Sequence, residues 1–120
     1  MKTKKEIKDE YKLMKFRMGV FQIRNLTNDK IFVGSSVNLD KIWNRHKFQL
    51  EMGGHKSPEL QKEWNELGAD SFVFEILEEI KESDDPTIDN NKEVEILEEM
   101  IVEKLQPFGN NGYNKKIAKF

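Results

Sequence analysis

The sequence predicts an α+β fold: a small, mostly antiparallel three-stranded sheet, made of an N-terminal hairpin and one later strand, flanked by helices and preceded by a helical extension. Three observations predict it. Two β-prone runs, Gly19-Val20-Phe21 and Phe32-Val33-Gly34, flank the turn residues Thr27-Asn28-Asp29, which is hairpin chemistry. Two following segments repeat apolar residues at spacings of three and four and stop at glycine, at Gly53-Gly54 and then at Gly68. Residues 72–80 then alternate with the period of a strand.

Each element follows from local chemistry. Residues 1–16 predict a charged helix with Ile7, Tyr11 and Met14 on one stripe. Strands are expected from Met18 to Asn25 and from Lys30 to Ser35. A helix from Asn38 to Met52 aligns Leu39, Trp43, His46 and Leu50. Ser57 then offers an N-cap before Pro58, and the helix it starts buries Leu60, Trp64 and Leu67. In the third strand Phe72, Phe74 and Ile76 share one face and Val73 and Leu77 the other, which predicts a central strand. Residues 81–91 are turn-rich and aperiodic, so an exposed loop is expected there. A last helix from Lys92 to Gln106, ended by Pro107, carries Val94, Leu97, Ile101 and Leu105 on its apolar stripe.

A chain of 120 residues suits one domain that buries its own core. It has no cysteine, which excludes disulfides, thiolate catalysis and cysteine-ligated zinc and fits a reducing compartment, with the cytoplasm as the expected location. The N-terminal lysines are followed by no apolar run, and the longest such stretch, Phe72 to Leu77 interrupted by Glu75, is too short to span a bilayer. No export or membrane segment is expected. The net charge of -2 hides a polar distribution. Residues 1–17 carry seven Lys and Arg against three acids, whereas residues 78–103 carry two Lys against eleven acids. Nucleic-acid binding draws on clustered cations, and the two ends of the chain supply them; the acidic segment repels DNA.

The order hairpin, helix, helix, strand, acidic helix, proline and Asn111-Gly112-Tyr113-Asn114 resembles the GIY-YIG endonuclease family from Met18 to Asn114. Separated pieces carry the resemblance: Gly34-Ser35-Ser36, Trp43 with His46, Gly54-His55, Leu60-Gln61 with Trp64, Ile76-Leu77-Glu78-Glu79-Ile80, Glu98 and the closing Gly-Tyr-Asn. It divides the chain into a basic helical extension (1–17), a GIY-YIG-like domain (18–114) and a basic tail (115–120). It implies DNA cleavage through one divalent metal, Mg²⁺ or Mn²⁺. The groups it implies are a tyrosine hydroxyl on each hairpin strand, an arginine early in the first helix, a glutamate metal ligand on the last helix and a terminal asparagine. A single carboxylate suffices for a hard cation whose other ligands are water, and the cation and arginine offset charge on the scissile phosphate.

Carried over residue by residue, the resemblance puts Glu98 at the glutamate, where it is also the metal ligand if there is one, and Asn114 at the asparagine. Phe21 and Phe32 stand at the two tyrosine positions and keep the ring without the oxygen. Ile42 stands at the arginine position and can neither donate to a phosphate nor carry charge. Taken together, the three replacements predict an apolar patch where a wet, charged cleft would be. Arg45 and His46, three and four residues beyond Ile42, are the candidates to substitute for the lost groups; His46 equally fits the buried stripe, His55 a loop cap, and Tyr113 a structural place in the tail. The reading preferred is a degenerate domain with no cofactor that keeps a nucleic-acid or protein partner. The first alternative is an active Mg²⁺- or Mn²⁺-dependent endonuclease. The second is a helix-turn-helix regulator built on the paired helices around Gly53-Gly54, against which stand Glu59, Glu63 and Glu66 beside Lys62 alone.

Overall fold

The computed structural model describes residues 16–81 and 85–115. The helix expected over residues 1–16, apart from Phe16, and the tail beyond residue 115 lie outside the described residues. The hairpin strands are β1 (Met18–Asn25) and β2 (Ile31–Ser36), and they pair antiparallel with Phe21 opposite Gly34 and Ile23 opposite Phe32. Asn25 folds the turn by accepting from the Thr27 backbone and hydroxyl, and Asp29 takes the left-handed conformation that the turn needs, at φ 60°.

Helix α1 (Leu39–Glu51) starts where the Asn38 side chain accepts from the Lys41 backbone N–H. Helix α2 (Pro58–Leu67) starts where Ser57 accepts from the Leu60 N–H, with Pro58 in the first turn, and it ends at Gly68. Strand β3 (Phe72–Ile80) pairs antiparallel with β1, aligning Phe72, Phe74 and Ile76 with Asn25, Ile23 and Phe21. Helix α3 (Asn90–Leu105) is capped by Asp89 and so begins inside the segment expected to be loop.

The sheet order is β2-β1-β3, which corrects one expectation: β1 is the central strand and β3 lies at an edge. The physical reason is burial. Of the eight residues of β1 six are buried, whereas in β3 only Phe72 is. Apolar side chains on both faces of β3 therefore reflect half-burial at an edge.

The core joins Phe21, Ile23 and Phe32 of the hairpin to Leu39 and Leu50 of α1, Leu60 and Trp64 of α2, Phe72 of β3 and Tyr113 of the tail. Trp43 stacks on Phe74 at 5.2 Å, which fixes α1 against the sheet. Leu67 and Leu105, expected in buried stripes, are exposed because each occupies the last position of its helix, past the edge of what it packs on. Helix α3 lies against β1 and β2 and buries Val94 outside that cluster. No helix among the described residues is long and apolar enough to cross a membrane.

Candidate active-site cleft

A cleft of about 720 Å³ opens where the hairpin, α1, the α1–α2 loop, α3 and the tail meet. Phe21, Phe32, Ile42, His46, Glu98 and Asn114, six of the seven positions singled out from the sequence, all line it. The expected apolar patch is present as the floor, but it lies in an open cleft whose rim is polar. Phe21 and Phe32 are nearly fully buried, and Ile42 is partly exposed. The tip of the Phe21 ring fills the space beside Gly34, where a Cβ would lie 2.6 Å from Phe21 Cζ; only glycine lets the ring lie so close to β2.

His46 sits between the two phenyl rings, 5.4 Å from Phe21 and 5.5 Å from Phe32, and its Nδ1 is 2.8 Å from His55 Nε2. The backbone N–H of Ser57 donates to His55 Nδ1. The neutral His55 ring therefore carries its proton on Nε2 and donates it to His46 Nδ1, which leaves the His46 proton on Nε2. His46 is accordingly both a core histidine and a cleft wall, and its sequence neighbour Arg45 is exposed. The structure separates the two substitutes proposed from the sequence: Arg45 lines a second, adjoining cleft and not the one that holds Glu98.

The pair is also acid-sensitive. Burial, then the neighbouring His55, Lys56 and Arg45, push the His46 pKa down from 6.5 to about 4, and burial lowers that of His55 as well. A histidine held neutral in the folded chain but protonated at 6.5 in the unfolded one contributes stability that is complete above pH 6.5. It is lost as pH falls through the window to 4, by up to about 3 kcal/mol for His46. Urea midpoints across that window are expected to fall with pH, most diagnostically before the ordinary carboxylates begin to titrate; a flat profile there would contradict the neutral pair.

Glu98 is half-buried on α3, with the Ser35 hydroxyl close enough to favour its charged form. Burial raises its pKa above the ordinary carboxylate value, while Ser35 and the nearby Lys56 charge oppose the rise. Glu95, Glu99 and Glu103 point to water, as the helical spacing predicts. Among the described residues no three His, Cys, Asp or Glu side chains converge on a point. A hard divalent cation fits here in the form that uses Glu98 with water completing most of its shell.

Asn114 has a different use. Its side-chain NH₂ donates to Val33 O and its Oδ1 accepts from Val33 N–H, both at 2.9 Å, so the amide completes the outer edge of β2 as a further strand residue would. Tyr113 is buried and its hydroxyl accepts from the buried Asn25 side chain, the structural place expected of it. Lys56 is a cleft residue that the sequence did not single out. Its ammonium lies 5.4 Å from the Phe32 ring centre, and its charge reaches Glu98, His46 and His55. Only its place directly after Gly54-His55 could have signalled it, because the surrounding segment is nearly neutral.

A protein-family model described as the GIY-YIG catalytic domain matches residues 17–114. The chain is 37% identical over 105 residues to the Intron-associated endonuclease 1 of Enterobacteria phage T4; the match takes in 87% of the chain and 39% of that relative's length. Among solved structures, the catalytic domain of intron endonuclease I-TevI in a mutant form superposes with a TM-score of 0.70 at 33% identity, covering 88% of this chain and 99% of that one. The catalytic domain of homing endonuclease I-TevI superposes with a TM-score of 0.68 at 34% identity, covering 83% and 99%.

Proposed function

The chain belongs to the GIY-YIG family, and on that premise we propose that it is a nucleic-acid-binding member that no longer cuts. The observation that carries the proposal is the make-up of the cleft beside Glu98. Both hairpin rings that face it lack an oxygen, and the third wall is Ile42. A phenyl ring cannot position or deprotonate water, and an isoleucine cannot neutralise charge building on a phosphate. Glu98 would hold Mg²⁺ or Mn²⁺, and such an ion when bound would supply positive charge toward a phosphate; the groups that would work beside it are the ones missing. Nucleic acid as partner is supported by the relatives' being endonucleases by name. A cytoplasmic setting agrees with the absence of cysteine.

One observation favours residual cleavage as a second reading: the cleft is open, and Glu98, His46 and Lys56 share it. Incubation of supercoiled plasmid with Mg²⁺ or Mn²⁺ separates the two. The natural chain and Glu98→Ala are expected to nick at the same background rate, and nicking that disappears with Glu98→Ala would establish an active enzyme. The helix-turn-helix reading gains no support, because α2 presents Glu59, Lys62, Asn65 and Glu66 to solvent, one cation against two acids.

A further inference from the structure

The second cleft shares Ile42 as a lining residue with the first, and the adjacent Ser35 and Ser36 line one each, so the two adjoin along the start of α1 and together offer one groove. The second cleft is bounded by Phe16, Ser36, Asn38, Lys41 and Arg45, with no acid among its lining residues. Lys41 and Arg45 are one helical turn apart, exposed and on the same face of α1. Like charges at that spacing repel, and no ion pair among the described residues engages either of them; the nearby Asp40 pairs with Arg17. Lys56 and Lys115 stand at the far end, in the first cleft, where Glu59 and Glu98 are the acids. The acidic surface of α3 otherwise lies outside both clefts.

We infer that the groove is a phosphodiester track: Lys41 and Arg45 form a phosphate subsite in the second cleft, and Lys56 a second in the first, so that a nucleic-acid backbone passes over Ile42. The inference rests on the nucleic-acid reading given above and adds where the backbone lies. The cation absent from position 42 is replaced by charge on both sides of it. His46, four residues beyond Ile42 on α1, feels the charges of both Lys56 and Arg45, so a cation from each cleft acts on the segment between them. Only backbone contact is implied, so binding is expected to be salt-sensitive and indifferent to base sequence.

The test is fluorescence anisotropy of the full chain with a labelled DNA duplex, and separately with one of its strands, across a salt series. Lys41→Ala with Arg45→Ala is expected to weaken binding and flatten the plot of log affinity against log salt by about 2 units, and Lys56→Ala by about 1. All three side chains are exposed, so thermal melts are expected to match the natural chain. The control, Lys62→Ala with Lys92→Ala, removes the same charge from exposed positions outside the groove and is expected to leave the slope unchanged. An unchanged slope for the Lys41 and Arg45 variant, or equal flattening by the control, overturns the track while leaving nucleic-acid binding intact. Absence of any salt-dependent binding by the natural chain to duplex or strand overturns the nucleic-acid reading, and the track with it.

Discussion

A variant carrying Phe21→Tyr, Phe32→Tyr and Ile42→Arg is expected to nick plasmid in Mg²⁺ or Mn²⁺ at least about 10²-fold faster than the natural chain, the scale of one restored acid–base or charge-stabilising group. The cleft already holds the remaining parts. Both rings line it, Ile42 is partly exposed between two clefts, and Glu98 is in place. The same variant is expected to melt lower. Phe21 is only 1% exposed and its ring tip abuts Gly34, so a hydroxyl there enters a packed space, at about 1–3 kcal/mol if it finds no partner. At roughly 4 °C per kcal/mol for a domain of this size, the loss is readable in a thermal scan. Adding Glu98→Ala should return nicking to background. A folded triple variant as inert as the natural chain would mean that the three replacements are not what silences the cleft, and a higher melting temperature would contradict the buried position of Phe21.

The local chemistry of this fold was legible residue by residue. Asn38, Ser57-Pro58, Gly68 and the Asn28-Asp29 turn announce element ends through hydrogen bonds made within a few residues, and the structure puts the ends there. The six cleft residues were legible only as an ordered set, since neither Phe21 nor Glu98 alone signals a site. What could not be read is set by contacts between distant residues. The place of β3 in the sheet depends on which strand β1 can pair with on its second edge, and alternation in residues 72–80 is silent on that. Arg45 and His46 are adjacent in sequence, yet α1 turns one toward its partner His55 and the other outward. The use of Asn114 as a clamp on Val33, eighty-one residues away, has no local signature at all.

That clamp makes Gly112 the position where one methyl group is expected to do most damage. Gly112 is fully extended, at φ -178°, so its backbone conformation is open to any residue; the constraint is space. A Cβ there would lie 2.5 Å from both Ile31 O and Pro107 O, two backbone atoms that no side-chain rotation can move away. Gly112→Ala must therefore lift the tail from β2. With it go the Tyr113 N–H bond to Ile31 O, the Asn114 N–H bond to Pro107 O and the two Asn114 side-chain bonds to Val33. At about 1 kcal/mol per bond the loss is about 4 kcal/mol, or about 15 °C in Tm. Gly54→Ala, where a Cβ meets nothing within 4 Å, is the matched control and is expected to change stability little. The effect should reach the groove as well, because Gly112, Tyr113 and Asn114 form one side of the first cleft while none of them borders the second. In a Gly112→Ala protein held below its melting temperature, the contribution of Lys56 to the salt slope is expected to shrink and that of Lys41 and Arg45 to persist. Equal loss at both ends would mean that the tail supports the whole fold rather than the wall it touches.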